Sequence, residues 1–87
     1  MNPRVLKVKP RKDYKLDLIF TNGEKRIYDC TPIMGFGIFT ELKDLHYFLM
    51  ARPLHGTVVW PHGQDICPDT LYLDSAAVEH EMESKSA

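Results

Sequence analysis

The run from Tyr14 to Cys30 constrains this chain more than any other stretch. Tyr14, Leu16, Leu18 and Phe20 alternate with Lys15, Asp17, Ile19 and Thr21, and a period of two belongs to a strand with one face buried. Asn22-Gly23 follows, and Glu24 to Cys30 resumes the strand character. Asn-Gly between two such runs is the strongest short hairpin signal, because both residues accept a positive φ. An antiparallel pair is therefore expected whatever the remainder does. Its register has two solutions. A two-residue loop sets Leu18 opposite Ile27 and Asp17 opposite Tyr28, whereas a loop with a glycine bulge shifts the pairing by one.

Upstream, Val5, Leu6 and Val8 read as a short strand over residues 4–9, stopped by Pro10 and a charged turn. Downstream, Thr31-Pro32 breaks the strand pattern, and Ile33, Met34, Phe36, Ile38 and Phe39 crowd around Gly35 and Gly37. That density of large apolar residues predicts a buried connector, followed by a short helix over residues 38–43. Gly-x-Gly here lacks the third glycine or the Gly-Lys-Ser/Thr of a phosphate loop. Asp44 is a candidate cap for a second helix over residues 45–51, with Leu45, Phe48 and Leu49 on one face. Arg52-Pro53 ends it, since the residue before proline avoids the helical region, and a loop over residues 54–56 follows.

The second half is dominated by Val58 to Tyr72, which holds the only tryptophan. Residues 57–60 read as a buried strand, Pro61 to Gln64 as a turn, and Asp65 and Ile66 as a short antiparallel return. Pro68 suits the first position of a helical turn, with Asp69 where negative charge is favoured. The expected fold is α+β: a small antiparallel sheet containing a β-hairpin, with strands at 4–9, 14–21, 24–30, 57–60 and 65–66, packed against short helices near 38–51. The expected core is Val8, Leu16, Leu18, Phe20, Ile27, Ile38, Phe39, Leu42, Phe48, Val58, Trp60, Ile66 and Leu71. From Ala76 the residues turn polar and acidic, so residues 1–75 are read as one domain and 76–87 as a flexible tail.

A chain of 87 residues has room for one core only, and at this size it buries roughly 60% of its unfolded surface. Its net charge of −1 hides an uneven distribution: residues 1–26 sum to +5 and the remainder to −6. Such asymmetry can mark a basic face for nucleic acid or an acidic partner, or merely Lys-rich edge strands that resist pairing. The two cysteines, Cys30 and Cys67, form no C-x-x-C. With a charged N-terminus, no apolar leader pattern and no run long enough for a membrane span, the expectation is a cytoplasmic chain with reduced thiols and no membrane contact.

One pattern has a counterpart in a known family: Phe20-x-Asn22-Gly23-Glu24-x-Arg26-x-Tyr28-Asp29, Gly37-Ile38-Phe39-x-x-Leu42, and Gly56-Thr57-Val58-Val59-Trp60-Pro61-x-Gly63-x-Asp65-Ile66-x-Pro68-Asp69-x-Leu71-Tyr72. It resembles the bacterial domain-of-unknown-function family 2442, from about residue 4 to 75. The resemblance implies a small α+β domain of the bacterial cytoplasm with no established activity. It also implies pairing with another small protein, in the manner of a toxin–antitoxin unit. The family pattern has a polar residue, often serine, where this chain has Cys67, a poor helix cap.

Chemistry is sparse. His62, Asp65 and Cys67 lie close in sequence, but a cysteine nucleophile needs a base in reach and an activating environment. A hairpin turn at Pro61–Gln64 would separate His62 from Cys67. The histidines and cysteines are scattered without metal-ligand spacing. No catalytic set, metal or cofactor is therefore expected, and the preferred reading is a non-enzymatic protein-interaction module, with homo-oligomerisation left open. Its candidate contact residues are Trp60, Pro61, His62 and Gln64 on the turn, and Phe36 beside two glycines. For Trp60 and Phe36 the competing role is core packing. The alternative is nucleic-acid binding through a basic surface of Arg4, Lys7, Lys9, Arg11, Lys12 and Lys15.

Overall fold

The structure is a computed structural model that describes residues 2–78. In chain order it contains β1 (Val5–Pro10), β2 (Lys15–Phe20), β3 (Lys25–Asp29), two 3-10 segments (Thr31–Ile33 and Gly37–Lys43), α1 (Leu45–Phe48), β4 (Arg52–Leu54), β5 (Thr57–Val59), β6 (Asp65–Ile66), α2 (Pro68–Leu73) and β7 (Ala76–Ala77). This is a small α+β fold with antiparallel sheets. The strands form two sheets rather than one: four strands ordered β1-β2-β3-β7, and three ordered β4-β5-β6. They meet where the Val5 N–H donates to the Gly56 carbonyl at 2.9 Å.

The β2–β3 hairpin takes the bulged register. Leu16 faces Tyr28, Asp17 faces Ile27, Leu18 faces Arg26 and Ile19 faces Lys25. In the loop, the Gly23 N–H donates to the Phe20 carbonyl at 2.9 Å, and the Phe20 N–H donates to the Glu24 carbonyl at 2.9 Å. Gly23 has φ +89°, the left-handed residue that ends a three-residue loop with a glycine bulge.

The same loop recurs twice. Trp60–Gln64 repeats it, with both hydrogen bonds at 3.0 Å and Gly63 at φ +97°. Arg11–Lys15 repeats it with bonds of 3.1 and 2.8 Å, but there the left-handed residue is Tyr14, at φ 67°. An aromatic residue in this region is a strained exception. Its hydroxyl donates to the Lys43 carbonyl at 2.6 Å, and its ring meets Phe48 edge-on at 5.3 Å. Those contacts hold the first hairpin against the helical segment.

Leu16, Leu18, Phe20, Leu42, Phe48, Val58, Trp60, Ile66 and Leu71 are buried as expected, joined by Val5, Tyr28, Cys30, Met34 and Tyr47. Val8 and Phe39 pack half-buried against them. Two core expectations are corrected. Ile27 is half-buried on the opposite face of the sheet, because the bulge turned Tyr28 inward in its place. Ile38 is 62% exposed, because residues 37–43 wind as a 3-10 segment that buries only Leu42.

The second helix is shorter than expected. Asp44 caps it as predicted, accepting from the His46 N–H. Its last turn then tightens through Met50 to Tyr47 and Ala51 to Phe48 bonds, and Arg52–Leu54, read as a helix stop and the start of a loop over 54–56, pairs with β5. Pro53 is tolerated because β4 lies at the edge of its sheet. The expected domain end at residue 75 also shifts. Ala76 and Ala77 pair with Ile27 and Arg26, and the Val78 N–H donates to the Lys25 carbonyl at 2.9 Å. The rest of the expected tail, 79–87, lies outside the described residues.

Candidate partner-binding surfaces

The Trp60–Gln64 turn is tied to the helical segment by side chains that the sequence offered as contact residues. Trp60 is 1% exposed, and its indole N–H donates to the Phe48 carbonyl at 3.0 Å. Gln64 is 2% exposed. Its amide nitrogen donates to the Ile38 carbonyl at 3.1 Å and to the Glu41 carboxylate at 2.8 Å, and its amide oxygen accepts from the Tyr47 hydroxyl at 2.5 Å. Tyr47 in turn accepts from the His62 N–H at 2.8 Å. Trp60 thus takes the core-packing role of the two expected for it, and Gln64, offered as a contact residue, is buried as well: both satisfy buried polar groups inside the domain, where an unpaired group would be costly.

Pro61 and His62 remain exposed at the tip. His62 stacks on the Tyr47 ring at 5.0 Å and places Nδ1 2.6 Å from the Glu41 carboxylate. The connector carries Phe36 at 69% exposure and Ile38 at 62%. Because the Gln64 amide holds the Ile38 carbonyl, this apolar pair stands beside the turn rather than on a free loop. Phe36 is the sequence candidate that stays available. Ile38, read from sequence as core, joins it.

A second surface lies on the outer face of the four-stranded sheet. Pairing places Lys7 opposite Ile19, and Ile19 opposite Lys25; the next row runs Lys9, Asp17, Ile27. Together with Arg11 and Val78 these residues line a concavity of about 690 Å³. Ile19, Ile27 and Val78 are half-buried there. Arg11 is occupied by Asp13 at 2.8 Å and Asp17 at 3.2 Å, and these carboxylates raise its already high pKa further. Among the described residues Lys7, Lys9 and Lys25 make no ion pair.

The six-residue basic surface thus divides. Lys7, Lys9 and Arg11 line the concavity, whereas Arg4, Lys12 and Lys15 do not. Arg4 lies against Gly56 at the seam between sheets, Lys12 sits in the β1–β2 loop, and Lys15 faces Asp29. Lys25, Ile19, Ile27 and Val78 were missed, and only the register could have revealed the first three together.

Against known families, the model described as "Protein of unknown function (DUF2442)" matches residues 5–76 of the 87-residue chain. The chain belongs to the DUF2442 family. No curated protein and no solved structure matches it. Much of the pattern that marks DUF2442 here is structural. Asn22 and Gly23 build the bulged loop. Glu24 accepts from the Tyr72 hydroxyl at 2.7 Å, from Arg26 at 3.0 Å and from Asn22 at 2.8 Å. These donors, Tyr72 first, hold its carboxyl below the usual carboxylate range. Arg26 lies over the Tyr72 ring at 4.5 Å and donates to Ser75. The DUF2442 motif residues thus lock the hairpin to α2 and β7.

Cys67 occupies the cap position of α2 without a side-chain cap bond and is exposed, whereas Cys30 is buried. Burial pushes the Cys30 thiol up to about 12. Among the described residues no three metal-ligating side chains cluster, and no helix is long and apolar enough to cross a membrane.

Proposed function

We propose that this domain is a non-enzymatic protein-interaction module whose primary contact is the apolar pair Phe36 and Ile38 beside the Pro61–His62 tip. The supporting observation is their exposure, 69% and 62%, on a segment held in place by the buried Gln64 amide. Two large apolar side chains on a rigid support match the anchors that carry binding energy in protein interfaces. The cluster His62, Glu41, Tyr47 and Gln64 is consumed in holding that support, which argues against a reaction there. The family resemblance adds the expectation that the partner is the other half of a two-protein unit, so a small protein encoded beside this one is the first to seek.

The test is capture of partners from native extract by the tagged full chain, with mass spectrometry, in parallel with the Phe36→Ser/Ile38→Ser variant. Because both side chains are exposed, the variant should keep its thermal midpoint. One protein present near stoichiometry with the wild type and lost with the variant supports the reading. A partner retained by the variant, or none with either chain, overturns it.

A further inference from the structure

The outer face of the four-stranded sheet is a second surface, independent of the Phe36 pair, and its chemistry specifies an occupant. Neighbouring strands lie roughly 4.8 Å apart, so Lys7 and Lys25, two strands apart with Ile19 between them, stand about 10 Å from one another. Lys9 follows one repeat along β1. Between these stems lie the aliphatic Ile19, Ile27 and Val78, with Asp17, held by Arg11, beside Lys9. We infer that this concavity receives an acidic segment of a partner protein that carries a large aliphatic side chain between its carboxylates.

Three observations select that occupant. Among the described residues Lys7, Lys9 and Lys25 make no ion pair, and the one carboxylate in the lining, Asp17 opposite Lys9, is paired with Arg11 at 3.2 Å, so carboxylates at the rim neutralise the lysines without breaking an existing pair. A second copy applied face to face would bring the same lysines together and be repelled. Single-stranded nucleic acid grips through base stacking on aromatic rings, and the described lining holds none: its apolar groups are Val, Leu and Ile. An aliphatic side chain is what Ile19, Ile27 and Val78 can desolvate, and flanking acids fit the rim.

The probes are labelled peptides of repeating Glu-Leu, Gln-Leu and Glu-Ser, and labelled oligo(dT). Each is titrated into the full chain at low and moderate salt by fluorescence polarisation, with amide chemical shifts followed by NMR. Saturable Glu-Leu binding, with the largest shifts at Lys7, Ile19, Lys25 and Ile27, supports the inference. So does binding of both altered peptides about tenfold weaker or worse. Lys7→Gln with Lys25→Gln should weaken Glu-Leu binding by about tenfold, and so should Ile19→Ser, while Lys12→Gln, outside the concavity, should not. Equal binding of Glu-Leu and Glu-Ser would overturn it by showing the floor unused. Tighter binding of oligo(dT) with a steep salt slope would overturn it in favour of nucleic acid. No saturable binding of Glu-Leu, or shifts confined to other surfaces, would also overturn it.

Discussion

Tyr14 shows how a single residue can hold a local cost for a distant contact. Its left-handed backbone is unfavourable by roughly 1–2 kcal/mol for a residue with a Cβ, and from there its ring and hydroxyl reach Phe48 and the Lys43 carbonyl. Tyr14→Phe keeps the ring and loses the bond, so urea unfolding should report a loss of about 1 kcal/mol. Gln64→Ala should cost more, about 2–3 kcal/mol, because it strands the Tyr47 hydroxyl and the Ile38 carbonyl as well as opening space; tryptophan fluorescence from buried Trp60 reports it directly. The thiols offer a contrast at the same scale. Cys30 is buried with its pKa pushed up to about 12, so iodoacetamide at pH 8 should modify Cys67 alone, and both cysteines once the chain is unfolded. A raised folded pKa contributes stability that is present below the ordinary thiol value and lost as pH rises through the folded one. Cys30→Ala should therefore lessen the loss of stability in strongly alkaline solution.

At the scale of elements, the recurring three-residue loop closes the β1–β2, β2–β3 and β5–β6 hairpins. At Gly23 and Gly63 an added Cβ would meet nothing within 4 Å, so Gly23→Ala and Gly63→Ala should each cost only the backbone strain, about 1 kcal/mol in chemical unfolding. The hairpins were legible because alternation and turn residues are local signals. The register was not, since Asn-Gly serves two-residue and three-residue loops alike. That one ambiguity hid half of the basic concavity: in the unbulged register Lys25 would oppose Phe20 on the buried face. Lys7 and Lys9 could be seen to share a face because no loop separates them. The choice between the two possible roles of Trp60, and the buried place of Gln64, were hidden for another reason. A turn residue's polar groups can face solvent or the helix beneath it, and that helix, centred on Tyr47 and Phe48, lies 12 to 17 residues earlier in the chain. The β4 strand escaped notice because Arg52-Pro53 is a helix stop in sequence and an edge position in space.

For the whole molecule, acid sensitivity should follow from carboxylates held in their ionised form. Hydrogen bonds from Tyr72, Arg26 and Asn22 lower the Glu24 pKa, and the Thr31 backbone N–H, followed by its hydroxyl, lowers that of Asp29. A depressed folded pKa contributes stability that is present above the ordinary carboxylate value and lost as pH falls through the folded one. Thermal midpoints should thus stay level from neutral pH toward that range and fall below it. Glu24→Gln should have a lower midpoint than wild type at pH 7, with the two curves converging near pH 2. Convergence is the decisive feature, because a purely steric defect would keep them apart at every pH. The same network joins hairpin, α2 and β7, so its loss should loosen the Arg26–Ser75 connection before it disturbs the core around Phe20 and Leu71.

The bulged loop at Gly23 has a consequence for what changes in length the chain can survive. Side chains alternate across a strand, so removing one loop residue to reach the shorter turn would exchange the two faces of β3: Ile27 and Lys25 would be driven inward and Tyr28 outward. A deletion of one codon there would turn the candidate docking face inside out while leaving the composition almost untouched. A change of two residues would keep the parity of the strand. Length variation at this loop should therefore be tolerated in even steps and rejected in odd ones, a rule that a small library of loop insertions and deletions, scored for folding, can read directly.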